Sequence, residues 1–289
     1  MKAIYNRELK SYFTSMTAPV FIAVLTLIMG IYFMYYNMQY GYPYFSEYTL
    51  SGMIFIFTIT IPILTMRSMS EERRQKTDQL LLTSPVSVGK MVMGKYLAMV
   101  TVLAIVCLIY ALCPLIISTT GNAYFLVDYS CIFAFFLLGC AYVAIGMLIS
   151  SLTESVILAA VGSIAALLLM SLLSSIANMV PTGAFPSMIG CMILLTIAAV
   201  VFYLFTKNTT LAVGLEVIGI VVMAVVYLVN ADLYESCMTN LLNALSLTNV
   251  YYTFADDRIF DAAGLVKIIS AAAVCLFLTD QVVQKRRWS

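Results

Sequence analysis

The 289-residue chain carries few side chains suited to chemistry. It has no histidine, so the commonest metal ligand and the side chain best matched to proton transfer near neutral pH are both missing. Its seven cysteines, Cys107, Cys113, Cys131, Cys140, Cys191, Cys237 and Cys275, form no C-x-x-C. Most sit inside apolar runs and read as small buried hydrophobes rather than a metal or redox site. Cys237 lies in a polar stretch and is the candidate reactive thiol. The stretch Gly89 to Tyr96, GKMVMGKY, comes within one residue of a nucleotide-binding loop, but Tyr96 stands where that loop needs a Ser or Thr to hold magnesium. No carboxylate pair, Ser/Lys dyad or Cys/Glu arrangement is spaced for catalysis. The chain is expected to be no enzyme, to bind no cofactor or metal, and to draw any energy from a partner.

Charged residues cluster in one place. Residues 66–96 read MRSMSEERRQKTDQLLLTSPVSVGKMVMGKY. Ser70 could cap a helix whose first turn holds Glu71 and Glu72, matching the positive end of its dipole. Leu80, Leu81 and Leu82 follow as an apolar triplet. Thr83, Ser84 and Pro85 then break the helix, because Pro85 removes a donor and disfavours helical geometry at Ser84. A second helix is expected from about Val86. From these residues alone, an interfacial loop that serves only topology and a docking surface are both open.

The elements that hold this loop follow from composition. The chain is 63% hydrophobic and 10% charged, with formal net charge +1 and mean hydropathy +1.00. A soluble domain runs nearer 45–50% apolar and about 25% charged, so lipid must be the solvent. The low net charge excludes a global basic face for nucleic acid. A membrane helix needs about 20 apolar residues. Eight runs qualify, at roughly 18–37, 49–66, 96–118, 129–151, 155–177, 187–206, 210–230 and 263–283. The expected fold is an all-α polytopic membrane protein of about eight transmembrane helices. The first span is too long for a cleavable signal peptide.

An even number of spans puts both termini on one side. All the basic residues except Arg258 and Lys267 then fall on that side, so the positive-inside rule makes it cytoplasmic. Residues 1–17 read as an amphipathic interfacial helix, with Tyr5, Leu9, Tyr12 and Met16 at helical spacing and Lys2, Arg7 and Lys10 as cationic anchors. Residues 18–289 form the transmembrane domain, with a cytoplasmic loop at 67–95 and an extracytoplasmic segment at 231–262.

Two weaker signals lie within the spans. Glu216 is the acidic residue well inside an apolar run, where a charge is costly and a functional candidate. It lies about six residues, or about 9 Å of helix, into the run that starts at 210 after the loop at Lys207, so a structural role and a coupling or substrate role both stand. Ser155, Ala159 and Ser163 recur every four residues, a spacing of small residues that lets helices approach. Packing within one subunit and a dimer interface are both open.

The loop resembles that of ABC-2 type transporter permeases, the membrane subunits of ATP-binding-cassette transporters, and is most similar to the gliding-motility-type group. The pattern is Glu71-Glu72-Arg73, Thr77, Leu80 to Leu82, Thr83-Ser84-Pro85-Val86 and Gly94-Lys95. The resemblance extends to IYNRELKSYFTS (Ile4 to Ser15), AIGMLISSLTES (Ala144 to Ser155) and the terminal KRRW. Two features depart from it. Many relatives have six spans, so 187–230 looks like an inserted hairpin, and ADDRIFD (Ala255 to Asp261) lacks a glycine common in relatives.

The resemblance implies a permease in the cell membrane that does not hydrolyse ATP. A separate ABC ATPase, expected in two copies and carrying ATP and Mg, would seat the 71–83 helix in a groove. Leu80, Leu81 and Leu82 would anchor it, and Glu72, Arg73 and Arg74 would orient it. It further implies a second permease subunit, the same or different, meeting this one through the first and fifth spans. An accessory membrane protein could bind at 231–262. Transport would be outward. An ATPase-independent carrier or channel, or a scaffold for an extracytoplasmic assembly, are the rival readings.

Overall fold

A computed structural model describes residues 1–77, 87–121, 123–206, 209–229 and 231–288. Their regular structure is entirely helical, as the apolar runs require: a backbone in lipid must satisfy its own hydrogen bonds. Two compact units divide the chain, Met1–Ser171 with Leu247–Ser289, and Leu172–Ser246.

The first unit begins with α1 (Lys2–Thr14) and α2 (Thr17–Phe33), which runs on through a π-helical stretch, Met34–Gln39. A second π-helical stretch, Ser46–Leu50, leads into α3 (Ser51–Thr65), and α4 (Arg67–Arg74) follows without a break. Then come α5 (Val88–Tyr110), α6 (Cys113–Thr120), α7 (Phe125–Leu152) and α8 (Val156–Met179), which passes into the second unit. After the second unit the chain closes with α12 (Thr248–Ala255) and α13 (Ala262–Trp288).

Among the described residues, six helical runs are long and apolar enough to cross a membrane: Thr17–Gln39, Ser46–Arg74, Val88–Thr119, Phe125–Leu152, Val156–Met179 and Ala262–Lys285. The remaining two expected spans fall on α9 (Ala184–Thr206) and α10 (Thr209–Val229) of the second unit. Their described apolar stretches, Ala184–Thr196 and Glu216–Tyr227, are shorter. These two helices pack as a hairpin, with Leu195 against Gly219.

The axis of the first unit is α7, with 72% of its apolar window buried against 17% for α8. Its glycines make this possible. A Cβ on Gly139 would sit 2.6 Å from Leu103 and 2.7 Å from Phe57, and one on Gly146 only 2.3 Å from the Thr65 hydroxyl oxygen. Neighbouring helices therefore approach closer than any side chain would allow. Phe57 and Phe135 stack beside this contact with ring centroids 4.4 Å apart. Leu27, Ile31, Leu108, Leu158, Val161 and Phe277 point outward, as residues facing lipid would.

At the start of α7, Asp128 is fully buried, and its Oδ1 accepts the backbone N–H groups of Phe45 and Ser46, both at 3.1 Å. It caps span two from another helix. Tyr251 donates to the Ser46 carbonyl at 2.9 Å. Close by in sequence, Arg258 lies 3.9 Å over the Tyr44 ring and 3.3 Å from Glu47. The tyrosines after the first span form stacked groups, Tyr42 on Tyr48 at 4.3 Å and Tyr44 on Tyr124 at 4.5 Å.

Two local expectations change. No helix starts at Ser70. Met66 keeps helical torsions, its N–H bonds to the Pro62 carbonyl at 2.8 Å, and Ser70 is a buried mid-helix residue whose hydroxyl donates to Met66 O. Span two therefore extends through Arg74. At about 1.5 Å per residue it is about 43 Å long, more than the ~30 Å hydrocarbon core requires. In α1, Tyr5, Leu9 and Tyr12 face α5 and the core rather than lipid, with the Tyr5 hydroxyl 3.0 Å from that of Thr101. Met16 is not part of this face. The helix ends at Thr14, and Met16 turns the chain in a left-handed conformation, φ +62°, with its side chain exposed.

Candidate coupling site

The charged end of span two is built by four elements. In α4, Glu71, Glu72, Arg73 and Arg74 form the last turn, where cations suit the negative end of the helix dipole. The helix closes on a Schellman pattern. Thr77 N–H reaches Glu72 O at 3.0 Å, Lys76 N–H reaches Arg73 O at 3.1 Å, and Lys76 takes the left-handed position at φ +57°. The Thr77 hydroxyl adds a bond to Glu72 O at 3.3 Å.

Glu72 turns inward. Its Oε1 lies 2.8 Å from Lys95 Nζ of α5 and 3.1 Å from Arg7 Nη2 of α1. Lys95 is only 2% exposed. Its ammonium donates also to the Ser68 carbonyl at 3.0 Å and lies 3.4 Å from Glu8. The buried ammonium thus has two carboxylates and a carbonyl as partners. The hydrogen bond to Glu8 holds the Arg7 guanidinium above its ordinary pKa, and Glu72 adds to this. Helices α1, α4 and α5 are thus pinned at one ionic node. A polar cleft of about 470 Å³ beside it is lined by Arg7, Ser11, Arg67, Glu71, Gln75 and Thr77.

Two further contacts fasten α4 to the end of α7. Arg73 pairs with Glu154 at 2.7 Å and donates to the Leu152 carbonyl at 3.2 Å. The Ser150 hydroxyl donates to Met66 O at 2.9 Å and accepts the N–H groups of Met69 and Ser70, each at 3.2 Å. It sits at the joint between α3 and α4. Arg74 is exposed.

Of the residues assigned to docking, Glu71, Glu72, Arg73, Arg74 and Thr77 thus gather at the end of α4. Leu80, Leu81, Leu82, Thr83, Ser84 and Pro85 lie outside the described residues. Glu8 and Lys95 complete the node and Ser150 closes the α3–α4 joint; Lys95 stood in the Gly94-Lys95 pattern, but none of the three was expected in these contacts. One signal was present: Glu8 falls on the same face of α1 as Tyr5 and Tyr12, an acid on an otherwise apolar stripe.

The small-residue row and Glu216 also find places. Ser155 caps α8, its hydroxyl accepting the Leu158 N–H at 3.5 Å. Ala159 and Ser163 are fully buried within one chain, and Ser163 donates to the Ala159 carbonyl at 2.7 Å. Two members of the small-residue row are therefore covered within the subunit. The exposed face of α8 carries Ile157, Leu158 and Val161 instead. Glu216 is half-buried in the second turn of α10.

An all-helical fold with long apolar spans defines a multi-pass membrane protein. The chain belongs to the ABC-2 transporter family: a sequence profile of ABC-2 family transporter proteins matches residues 33–231. It is a permease subunit of an ABC transporter in the cell membrane, a membrane component whose class works with an ABC ATPase. No curated protein matches it.

Proposed function

We propose that this permease is driven through residues 67–95, on which a separate ATPase docks, and that it moves its substrate outward. The observation that carries the reading is the buried contact of Lys95 with Glu72 and Glu8. The loop leaves α4 and returns into α5, and both are locked to α1 at its root. A load on the loop therefore moves spans two and three and the amino-terminal helix as one body, rather than being lost in a flexible connection. ATP and Mg would reside on the partner, in two copies. The outward direction rests on the likeness of the loop to that of the gliding-motility-type permeases.

A second permease subunit, the same or different, would meet this one through the first and fifth spans. Leu27 and Ile31 on α2, and Leu158 and Val161 on α8, supply exposed apolar faces. The segment 231–262 would lie outside the cell, where an accessory protein could reach it.

The test separates docking from transmission. Leu81→Asp with Arg74→Glu leaves the ionic node intact and should release the ATPase in a detergent pulldown. Lys95→Met should leave docking in place while substrate-stimulated ATP hydrolysis in proteoliposomes falls at least fivefold. An intact, stimulated complex after the first pair of changes rules out docking on this loop.

A further inference from the structure

In the second unit two cysteines meet that stand far apart in sequence. Cys191 lies in the first turns of α9, and Cys237 opens α11 (Cys237–Leu245), the helix that follows the 3₁₀ turn Ala231–Tyr234. Flanking contacts hold these elements together. The Ser236 N–H donates to the Thr182 carbonyl at 3.0 Å. Gly190 faces Met238 so closely that a Cβ there would lie 3.0 Å from the Met238 side chain. Next to Gly190 and Met238 in the two segments, Cys191 and Cys237 neighbour one another. The hydroxyl of nearby Tyr234 is tied to the Met223 carbonyl at 3.1 Å. Both thiols are free. Cys191 is buried and Cys237 partly exposed, so a reagent would meet Cys237 first.

Other thiols of the chain are occupied differently. Cys113 contacts the Met29 sulfur at 3.6 Å, and Cys131 donates to the Phe254 carbonyl at 3.3 Å. Those are packing positions inside the bundle. The Cys191–Cys237 pair instead joins a membrane helix to a segment placed outside the cell, where disulfides persist.

We propose that Cys191 and Cys237 form an oxidisable pair, a modification site that closes to a disulfide fastening α11 to the start of α9. The site of oxidation rests on the reading that places 231–262 outside the cell. The oxidant is a small disulfide. The Cys237 thiolate attacks one of its sulfurs and releases one thiolate. The Cys191 thiolate then attacks Cys237 Sγ in the mixed disulfide and releases the second. Two protein thiols lose two electrons and two protons, and the oxidant leaves as two thiols. The bond would close a loop containing all of α10, so that the hairpin and the outer helix could no longer separate.

Membranes holding the full transporter, treated with glutathione disulfide, denatured, alkylated with N-ethylmaleimide and digested without reductant, test this directly. The expected result is a Cys191–Cys237 linked peptide in most chains, lost with dithiothreitol and absent in Cys191→Ser. Recovery of both cysteines alkylated, or of Cys237 held only as a glutathione adduct or in a link between two chains, overturns the proposal. A membrane-impermeant maleimide on intact cells carrying Cys191→Ser should label Cys237. Protection there, with the wild-type linked peptide still formed in detergent, would sink the outside placement and leave the pair standing.

Discussion

Lys95 Nζ and Glu72 Oε1 lie 2.8 Å apart where almost no water reaches the ammonium, although the two residues stand on opposite sides of the loop. Removing one partner of a buried ion pair strands the other and costs about 3–5 kcal/mol. Glu72 keeps Arg7 at 3.1 Å, so Lys95→Met should fall near the low end, about 3 kcal/mol, read as a lower unfolding midpoint in detergent. A double-mutant cycle with Glu72→Gln should show coupling of at least about 1 kcal/mol. Additive effects would mean that the two charges act independently.

The cap that Asp128 gives span two should be separable from its charge. Asp128→Ala leaves the Phe45 and Ser46 amides without their acceptor, a loss of about 1–2 kcal/mol. Asp128→Asn keeps an acceptor in place and should lose less than half as much. Hydrogen exchange reads this locally: both amides should exchange faster in the alanine variant than in the asparagine one.

At Gly146 the limit is space. The 2.3 Å between a built Cβ and Thr65 Oγ1 cannot be absorbed without moving α3 or α7. Gly146→Ala should cost about 1–3 kcal/mol by overpacking, and Thr65→Ala in the same chain should recover part of it. No recovery would place the strain elsewhere along α7.

Glu216 offers a test of a different kind. It sits in the second turn of α10, near enough to that helix's end for local pairing or interfacial water. Glu216→Gln should therefore leave transport and ATP hydrolysis within about twofold, a change of under 0.5 kcal/mol. Lost transport with intact ATP hydrolysis would give Glu216 a place in the substrate path.

Much of the scaffold could be read from hydropathy. Continuous apolar runs marked the six long helices, while the two runs at 187–206 and 210–230 fall on helices with shorter described apolar stretches. What escaped was set by rotation and crossing of helices. Ser70 has the side chain of a cap, but nothing local reveals that Thr65 to Arg67 stays helical. Glu72 has the charge of a docking residue, yet the turn of α4 aims it at Lys95. Ser155, Ala159 and Ser163 have the spacing of an interface, while two of them face inward. Residue type limits what a side chain can do, and only its direction decides which of those things it does.

The joint between α3 and α4 is sealed by a hydroxyl that belongs to neither. Ser150 of α7 bonds to three backbone groups there, from Met66, Met69 and Ser70. Bending span two at this point would break bonds to span four, and sliding span four would loosen the bend. The two helices consequently share a single degree of freedom at these ends, and under the proposed coupling the stiffness of that one motion would set how much of each ATPase stroke arrives in the membrane.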